Sequence, residues 1–375
     1  MNTIWLCSWY PNSEDEFTGD FIQRQALAVS AFACIDVLHV VFCKRFENVI
    51  SQINHNLTEH IYYRPKGHHL ANFSAYVQAH YSFYKAYCKS KGKPALIHVQ
   101  VPFKAGIAAV CLKYLYKIPY VVTEHYGIYN SLLDDAYASR SWWFRFFTRQ
   151  VIVNADRLTT VSYSLGEDMN ALVTKKSYTV ISNVVDTSLF KYSAPPPADH
   201  FYFIHISNMI PLKNTRGIIE AAAELKKKRS DFSVILVGNV NEEYLELARQ
   251  KQLLDTVIFF KGILPYEQIA EQIAAAHALI IFSDTESQSC VVLEALCSGR
   301  PAIVTNTGGV KELIHDENGF KVNVRDSAEL AMKMDTLMTN YGDFDKQKIA
   351  DAAASQYSYE AVGRQFFELY LKVNS

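Results

Sequence analysis

The sequence predicts an α/β protein with two doubly wound domains, each built on its own parallel sheet. Short apolar strands alternate with amphipathic helices along the 375 residues, and this alternation is typical of parallel sheets covered on both faces. The length is also sufficient for two or three domains. Near the middle of the chain, Pro195–Pro197 forms a run that neither a helix nor a central strand can continue, so we expect a domain boundary there.

Residues 1–187 form the predicted N-terminal domain. Its predicted strands are NTIWLCS, CIDVLHVVF, ALIHV, PYVVTE and DRLTTVS. Apolar residues at helical spacing predict helices between several of these strands, namely Phe21–Ala33, Phe73–Lys89, Phe103–Tyr116 and Trp142–Asn154.

Residues 188–200, which include the three prolines, are the predicted linker, and residues 201–357 are the predicted C-terminal domain. The strands of this second domain are FYFIHIS, FSVILVG, TVIFFKG, ALIIFS and PAIVTN. Its helices are predicted near Thr215–Lys228, Glu242–Gln252 and Tyr266–Ala276. The last segment, 358–375, reads as one amphipathic helix.

Composition excludes several classes of protein. A formal net charge of -1 argues against a dedicated nucleic-acid binder, and 49% hydrophobic with 20% charged residues argues against disorder. The seven cysteines are scattered without a CxxC pair, which favours buried thiols in a reducing compartment. The N-terminus does not resemble a signal peptide, and no apolar run reaches the roughly 18 residues of a spanning helix. We therefore expect a cytoplasmic protein, with peripheral contact at the inner face of the membrane as an alternative.

The segment Ile280–Val322 carries the strongest functional signal. A buried strand, IIFSDTE, enters the polar loop SQS and then the helix CVVLEALCSGR, and Glu286 and Glu294 bracket this junction. The N-terminus of a helix has unpaired N–H groups and a partial positive charge, so it suits a phosphate. Glu286 would lie beside the group that the phosphate carries. Glu294, about two turns into the helix, would reach a more distant pair of hydroxyls, so the spacing fits a sugar joined to a nucleotide through a diphosphate.

The chain continues as PAIVTNTGGVKELIHDENGFKV, with a Gly308-Gly309 turn after the next strand. This order resembles the donor-binding half of the retaining glycosyltransferases of family 4, also called group 1, including the bacterial polysaccharide type. The resemblance implies the GT-B fold, with two Rossmann-like domains facing across a cleft and the helix 358–375 completing the N-terminal domain. It also implies a nucleotide-sugar donor as substrate, UDP- or GDP-linked, with no further cofactor, and retention of the anomeric configuration.

Lys213 is the predicted catalytic cation. It follows the first strand of the second domain in HISNMIPLKN, where an ammonium can neutralise a diphosphate and stabilise the leaving nucleotide. The resembled family has a lysine here and an arginine five residues earlier, but this chain has Asn208 at that earlier position. Asn208 donates hydrogen bonds without a charge, so we expect a weaker leaving-group site or a cation supplied by Lys261 or Arg24.

Further donor contacts are predicted in two loops that follow strands. Ser287, Gln288 and Ser289 stand where the family has a glycine, an aromatic residue and a second glycine. Backbone N–H groups do not depend on side chains, so this loop and the helix start at Cys290 and Val291 can still hold the donor. The loop from Gly262 and Ile263 to Leu264 lies where the family brackets the nucleobase, although an ordinary turn is an equal alternative.

In the first domain, His125 and Gly19 are the predicted contributors. His125 ends the strand PYVVTEH, where it can hydrogen-bond the transferred sugar or the attacking hydroxyl, or be a packed structural histidine. The resemblance in TEHYG favours the functional interpretation, and Glu124 is a weaker candidate. Gly19 lies in SWYPNSEDEFTGD, either as part of a phosphate-binding loop or as a helix-capping turn. His98 and His205 are expected to be packed.

Glu286, Lys213 and His125 are therefore the predicted catalytic residues. No carboxylate pair with nucleophile and acid roles is evident, which separates the sequence from hydrolytic glycosidases. No Asp-x-Asp motif lies among the predicted site residues, so we expect a metal-independent hexosyltransferase in which the donor phosphate accepts the proton of the incoming hydroxyl.

The acceptor is predicted to be a glycan or a lipid-linked molecule of cell-surface polysaccharide biosynthesis. The segments HYSFYKAYCKSKGK and YASRSWWFRFFTRQ alternate aromatic and basic residues. They can contact a membrane surface, or form helices that pack on their own sheet with the arginines outward, which we favour. Two other functions remain open, a nucleotide-sugar epimerase of the same fold and a non-catalytic protein that binds nucleotide sugars or glycans.

Overall fold

A computed structural model describes residues 1–131, 133, 135–197 and 199–374. The chain divides into two compact units. The first comprises Met1–Val184 and the chain from Tyr359 onward, and the second comprises Val185–Ser358. Each unit is built on its own sheet, and the predicted α/β class is confirmed.

The strands of the two sheets follow most of the predicted apolar segments. The first unit contains β1 Asn2–Cys7, β2 Cys34–Cys43, β3 Glu47–Asn54, β4 Leu57–Pro65, β5 Leu96–Gln100, β6 Tyr120–Glu124, β7 Arg157–Thr160 and β8 Thr179–Val180. The second contains β9 Phe201–Ser207, β10 Phe232–Gly238, β11 Ile258–Gly262, β12 Ala278–Ile281, β13 Ala302–Thr305 and β14 Gly319–Val322.

Helices cover both sheets, and their apolar faces supply the cores of the units. The described helices are α1 Asp20–Ser30, α2 His69–Lys91, α3 Ala105–Tyr116, α4 Trp142–Asn154, α5 Tyr163–Leu172, α6 Thr215–Lys226, α7 Glu242–Gln250, α8 Tyr266–Ala274, α9 Cys290–Cys297, α10 Ser327–Thr339, α11 Lys346–Tyr357 and α12 Tyr359–Asn374. The structure gives α4 the predicted bounds, whereas α5, α10 and α11 were not predicted.

The order of strands gives each sheet one pair of neighbouring central strands at which the direction of the connections reverses. The first sheet runs β3-β4-β2-β1-β5-β6-β7-β8, and the second runs β11-β10-β9-β12-β13-β14. The chain therefore leaves β1 in one direction and β5 in the other, and it does the same at β9 and β12. Ligands of doubly wound sheets bind beyond the carboxyl ends of such a pair of strands, where the crossovers diverge.

The expectation of wholly parallel sheets is wrong at one edge of the first sheet. β3 and β4 form an antiparallel hairpin, and the turn between them is closed by a 2.8 Å hydrogen bond from the Asn56 backbone N–H to Oδ1 of Asn54. β3 lies at the edge of the sheet, where polar side chains are tolerated, so it lacks the continuous apolar pattern that marks the central strands.

The segments at the two boundaries pack closely on their units. In the first unit α12 packs against α1, and Tyr370 on α12 is hydrogen-bonded to Nδ1 of His98 at 2.6 Å. The part of the predicted linker at 188–197 lies within the second unit. Phe190 is buried in that unit's core, and Arg300 donates a 2.9 Å hydrogen bond to the carbonyl oxygen of Ser193.

None of the helices in the described part of the chain combines the length and the apolar character that crossing a bilayer requires.

Candidate active site

An ion pair joins two loops at the divergence point of the second sheet. Nζ of Lys213 lies 2.6 Å from Oε1 of Glu286. Lys213 ends a short 3-10 turn after β9, and Glu286 follows β12. The Asp284 backbone N–H also donates a 2.8 Å hydrogen bond to the carbonyl oxygen of Leu212. The two predicted catalytic residues of this unit are thus brought together at the edge where a ligand is expected.

The carboxylate of Glu286 is held on one side and accessible on the other. The hydroxyl of Ser283 donates to Oε1 at 2.9 Å, the same oxygen that contacts Lys213. Among the residues that the structure describes, Oε2 has no hydrogen bond. The side chains of Lys213 and Glu286 keep 22% and 11% of their exposure, so a ligand can reach both.

The predicted Gly308-Gly309 turn fixes the backbone of Glu286. Gly308 has φ 47°, and a Cβ there would lie 2.0 Å from the carbonyl oxygen of Glu286. The Gly309 N–H donates a 2.9 Å hydrogen bond to that same carbonyl. Only glycine fits a positive φ together with so close an approach of two backbones. The sequence signalled the turn, but not that the glutamate loop lies against it.

Sequence reasoning missed a second ion pair two residues before Glu286. The guanidinium of Arg325 contacts both carboxylate oxygens of Asp284, with Nη2 2.6 Å from Oδ2 and Nε 3.0 Å from Oδ1. Asp284 is 3% exposed, whereas the arginine side chain is 72% exposed. Arg325 also has φ 62°, an uncommon conformation for a residue with a side chain. The pair connects the loop before α10 to the loop that carries Glu286.

The predicted phosphate-binding helix starts at Cys290, and residues 287–289 form the loop before it. Ser289 precedes the helix without a capping side-chain hydrogen bond, and no acidic residue lies in the first turn. Ser287, Gln288, Cys290 and Val291 are partly exposed, and Ser289 is 8% exposed.

Glu294 lies closer to the start of this helix than predicted. It is the fifth residue of α9, just over one turn after Cys290, because the loop ends only at Ser289. Its side chain is buried, with the residue 2% exposed, and Tyr266 donates a 2.9 Å hydrogen bond to Oε1. Tyr266 was not predicted as a site residue, although its position at the start of α8, after the β11 loop, is the available signal.

The other predicted donor residues of this unit lie after β9 and β11. Asn208 is exposed in the loop before Lys213, and Gly262 ends β11 with open space around it. Ile263 is 64% exposed and Lys261 is exposed. No hydrogen bond links these four described residues to Glu286.

Beneath the ion pair, His205 is a packed residue, as expected. It is fully buried on β9, with Nδ1 2.9 Å from the carbonyl oxygen of Ile280 and Nε2 2.8 Å from Oγ of Ser207. Burial and, to a smaller extent, the nearby charge of Lys213 lower its pKa to about 4, although the hydrogen bond with the Ile280 carbonyl and the charge of Glu286 oppose the shift. The imidazole is therefore neutral and ties β9 to β12 below the site.

In the first unit, His125 follows β6 and is buried. It is 7% exposed, and Nε2 lies 2.8 Å from Oε1 of Gln100. Burial lowers the pKa of His125 to about 3, and a hydrogen bond with Asn183 opposes that shift only in part. At neutral pH the ring carries no charge, so it can donate or accept a hydrogen bond but cannot act as a cationic acid.

Glu124, the weaker candidate, is tightly bound by its neighbours. Oε1 accepts hydrogen bonds from the backbone N–H groups of His125 and Tyr126, both at 2.9 Å, and Oε2 accepts one from the hydroxyl of Tyr129 at 2.7 Å. Burial raises the pKa of this carboxyl to about 7 in spite of the three donors. The carboxylate organises the turn after β6.

Gly19 forms the capping turn at the start of α1. It has φ 70°, and its carbonyl oxygen accepts a 2.9 Å hydrogen bond from the Ile22 N–H. A Cβ at this position would lie 2.8 Å from the backbone carbon of Trp9, so the turn requires glycine. In the same unit Arg24, a suggested replacement cation, pairs with Asp20 at 2.9 Å.

Two family models match the chain in succession. Residues 37–189 match the model described as Glycosyltransferase Family 4, and residues 188–357 match the one described as Glycosyl transferases group 1. The second match contains both the Lys213–Glu286 pair and the Gly308 turn. This chain is a group 1 glycosyltransferase of the family 4 type.

Curated relatives of this glycosyltransferase act on different molecules. It is 26% identical over 240 residues to N-acetyl-alpha-D-glucosaminyl L-malate synthase of Bacillus anthracis, covering 59% of this chain and 61% of the relative. It is 25% identical over 307 residues to D-inositol 3-phosphate glycosyltransferase of Corynebacterium kroppenstedtii, covering 74% of this chain and 66% of the relative. The match thus spans about three fifths of the Bacillus anthracis relative and about two thirds of the Corynebacterium kroppenstedtii relative.

Solved structures confirm the GT-B fold of this glycosyltransferase. Sucrose-phosphate synthase from Thermosynechococcus elongatus matches with a TM-score of 0.80 at 18% identity, covering 100% of this chain and 99% of that one. Anabaena HepE in complex with UDP-glucose matches with a TM-score of 0.73 at 17% identity, covering 99% and 100%. At these identities the likeness concerns the fold alone.

Proposed function

We propose that this glycosyltransferase transfers a hexose from a UDP- or GDP-linked donor to a hydroxyl of a glycan or lipid-linked acceptor, with retention of the anomeric configuration. The observation that carries the donor assignment is the 2.6 Å contact between Lys213 and Glu286 at the divergence point of the second sheet. It places one cation and one carboxylate beside the start of α9, which suits a sugar diphosphate.

Lys213 and the start of α9 stabilise the leaving diphosphate. Breaking the bond between the anomeric carbon and the phosphate leaves negative charge on the phosphate oxygens. The ammonium of Lys213, shared with the bound diphosphate, stabilises that charge, together with backbone N–H groups near Cys290. Because these groups compensate the charge, the proposed reaction needs no metal ion, and we expect activity to withstand EDTA.

The two glutamates hold different parts of the donor. Oε2 of Glu286 accepts a hydrogen bond from a hydroxyl of the transferred sugar, while Oε1 keeps its hydrogen bonds from Lys213 and Ser283. Glu294, fixed by the hydroxyl of Tyr266, binds the ribose diol. The support for such a donor comes from a structural neighbour of this chain, Anabaena HepE, which is described in complex with UDP-glucose.

The acceptor loses its proton to the donor. In the proposed step the acceptor oxygen bonds to the anomeric carbon, the bond from that carbon to the phosphate breaks, and a phosphate oxygen takes the proton of the hydroxyl. Neutral His125 contributes a hydrogen bond to the sugar or the acceptor, consistent with a pKa of about 3.

A membrane surface is the proposed location of the acceptor, and α4 is the element that would contact it. The preferred expectation, a helix that packs on its own sheet with the arginines outward, agrees with the burial of Val151 and Ile152, but it leaves three aromatic residues at the start of α4 exposed. Trp142, Trp143 and Phe146 are 58%, 55% and 48% exposed, and Arg145 and Arg149 are exposed beside them. Aromatic rings with adjacent cations suit the interface of a bilayer that contains anionic lipids.

Vesicle sedimentation tests this location. We expect the protein to pellet with phosphatidylglycerol vesicles, and the double variant Trp142→Ser with Trp143→Ser to lose most of that binding. Phe17→Ser removes an aromatic ring of 70% exposure elsewhere in the unit and serves as the matched control. Equal pelleting of the double variant and the wild type would exclude α4 as the contact.

A donor screen tests the proposed function itself. A ligand that binds only the folded state raises the melting temperature, so UDP- and GDP-sugars should raise the Tm of the wild type and ADP-sugars should not. Glu286→Ala should fold normally and transfer no sugar. Unaltered transfer by this variant would contradict the assignment. Product formed without any acceptor would indicate an epimerase, and donor binding without turnover would indicate a non-catalytic binding protein.

A further inference from the structure

The first unit has its own cavity at the divergence point of its sheet. The cavity has a volume of about 250 Å³ and is lined by residues that follow three neighbouring strands. Ser8 and Trp9 follow β1, Val101 and Lys104 follow β5, and Glu124 ends β6. β1 and β5 are the pair from which the chain departs in opposite directions, so this cavity lies where a second ligand is expected.

We propose that this cavity binds the acceptor as one sugar-sized ring that carries an anionic group, a phosphate or a carboxylate, with Lys104 as its principal ligand. The proposal rests on the glycosyltransferase function proposed above and names the class of its acceptor.

The loop that presents Lys104 is strained. Val101 has φ 64°, which is a genuine outlier for a β-branched residue. Lys104 has φ 70° and ψ -72°, and the Ala105 N–H donates a 3.2 Å hydrogen bond to the carbonyl of Phe103, which together define the rare, strained form of γ-turn. Strained residues of this kind cluster at ligand sites, where the surrounding structure holds them.

Ser8 holds the strained loop in place from the neighbouring strand. Its hydroxyl lies within hydrogen-bond distance of the carbonyl oxygens of Val101, at 2.9 Å, and of Phe103. The Ala105 N–H also points to Oγ of Ser8 at 3.4 Å. The position of Lys104 is therefore set by contacts across the divergence point and not by its own helix alone.

The charges around the cavity favour an anion. Lys104 has no salt bridge among the residues that the structure describes. Arg140, the other lining cation, pairs with Asp135, which also accepts a hydrogen bond from the hydroxyl of Tyr126. Glu124 is the lining carboxyl group, and its three hydrogen-bond donors and raised pKa reduce the charge that it presents.

The rest of the wall is apolar and aromatic. Trp9 and Tyr126 meet edge to face with ring centroids 4.9 Å apart, and Phe103 packs on Phe144 at 4.2 Å. Such a wall suits the C–H face of a sugar ring, while the cation selects its charged substituent. The small volume limits the recognised part to about one ring.

Calorimetric titration of the full-length protein tests the proposal. The probes are glucose 6-phosphate, glucuronate, neutral glucose and inorganic phosphate. We expect one of the two anionic sugars to bind at least about tenfold more tightly than glucose and than phosphate alone. Tighter binding of glucose 6-phosphate assigns a phosphate acceptor, and tighter binding of glucuronate assigns a carboxylate. Equal affinity for glucose would overturn the proposal.

Variants connect the binding to Lys104. Lys104→Gln should lower the affinity for the preferred anionic sugar about tenfold or more, because a hydrogen bond to a charged group is lost. Lys104→Arg should restore most of the affinity, and Lys89→Gln, an equal charge change on the exposed part of α2, should leave it unaltered. Unchanged affinity in Lys104→Gln would overturn the assignment.

A separate titration with UDP and GDP distinguishes failure of this inference from failure of the proposed function. Lys104→Gln should bind the nucleotide as the wild type does, and an unchanged circular dichroism spectrum verifies its folding. Lys213→Gln should bind the nucleotide more weakly and should bind the anionic sugar with wild-type affinity. Wild-type protein that binds neither nucleotide would contradict the proposed function, whereas normal nucleotide binding without any anionic-sugar preference would contradict only the acceptor class.

Discussion

The ammonium of Lys213 lies 2.6 Å from the carboxylate of Glu286, across 73 positions of sequence. The contact joins the loops that follow β9 and β12, the two neighbouring strands that the chain leaves in opposite directions. Each group neutralises the other before a ligand arrives. A diphosphate that binds here must therefore share the lysine with the glutamate, which keeps both groups oriented.

Lys213→Gln should reduce kcat far more than it reduces stability. Removing one preorganised group that stabilises transition-state charge typically costs about 10²–10³ in rate, whereas a partly exposed ion pair contributes only about 1 kcal/mol to folding. We expect kcat to fall by about two orders of magnitude, with a change in Tm of a few degrees. Steady-state kinetics and thermal denaturation measure the two quantities.

Lys228→Gln provides the matched control, because Lys228 is an exposed lysine of the same unit. It should leave kcat and Tm unaltered. If Lys213→Gln retained wild-type kcat, the lysine would have only a structural role in holding the glutamate loop.

Gly308→Ala should displace the loop that carries Glu286 and lower kcat. The added methyl group would lie 2.0 Å from the carbonyl oxygen of Glu286 at a positive φ, so the turn or the loop must move. Small displacements of catalytic groups cost about 10²-fold in rate, and we expect at least that loss of kcat. Urea denaturation should show a loss of about 1–3 kcal/mol.

Gly342→Ala is the control for this substitution. Gly342 lies in the same unit and has no positive φ, and apart from its own two neighbours in the sequence no heavy atom of the described residues lies within 4 Å of the place that an added methyl group would take. It should behave as the wild type in both assays. Comparable losses in the two variants would show that the contact between Gly308 and Glu286 is not responsible.

Sequence reasoning could predict the parts of the proposed donor site that directly follow predicted strands. Glu286, Lys213 and the Gly308 turn follow strands with continuous apolar patterns, so their positions at a sheet edge could be inferred. Arg325 and Asp284 could not be paired this way, because no spacing rule links residues on separate loops. The strain at Val101 and Lys104 also has no sequence signal, since a positive φ at such residues is imposed by tertiary contacts.

Arg325→Ala should destabilise the second unit by leaving Asp284 without its cation. Asp284 is 3% exposed, so its charge is poorly solvated, although the exposed arginine limits the effect. We expect a loss of about 1–3 kcal/mol in urea denaturation. A weaker hold on the loop of Glu286 should also raise KM for the donor.

Arg325→Gly separates the ion pair from the backbone strain. Both variants lose the guanidinium, but glycine adopts φ 62° without penalty, so it should be about 1 kcal/mol more stable than the alanine variant. If glycine and alanine were equally stable, the positive φ would not be a source of strain.

Glu124→Gln should change how the stability of the protein depends on pH. Burial raises the pKa of Glu124 to about 7, above an ordinary value near 4.5, so the folded state favours the protonated carboxyl. Its contribution to stability is fully present below pH 4.5 and is lost as the pH rises through 7. Glutamine stays neutral throughout. The stability of the wild type relative to the variant should therefore fall between pH 4.5 and pH 8, by at most about 3 kcal/mol.

Urea denaturation of both proteins at pH 4.5, 6, 7 and 8 measures this difference, because titrations shared by the two proteins cancel. Glutamine can still accept the N–H bonds of His125 and Tyr126, so the turn after β6 should persist in the variant. His125 does not interfere, since a pKa of about 3 keeps it neutral across this range in the folded state. A stability difference that stays constant from pH 4.5 to pH 8 would mean that Glu124 ionises normally, and that its three donors offset its burial.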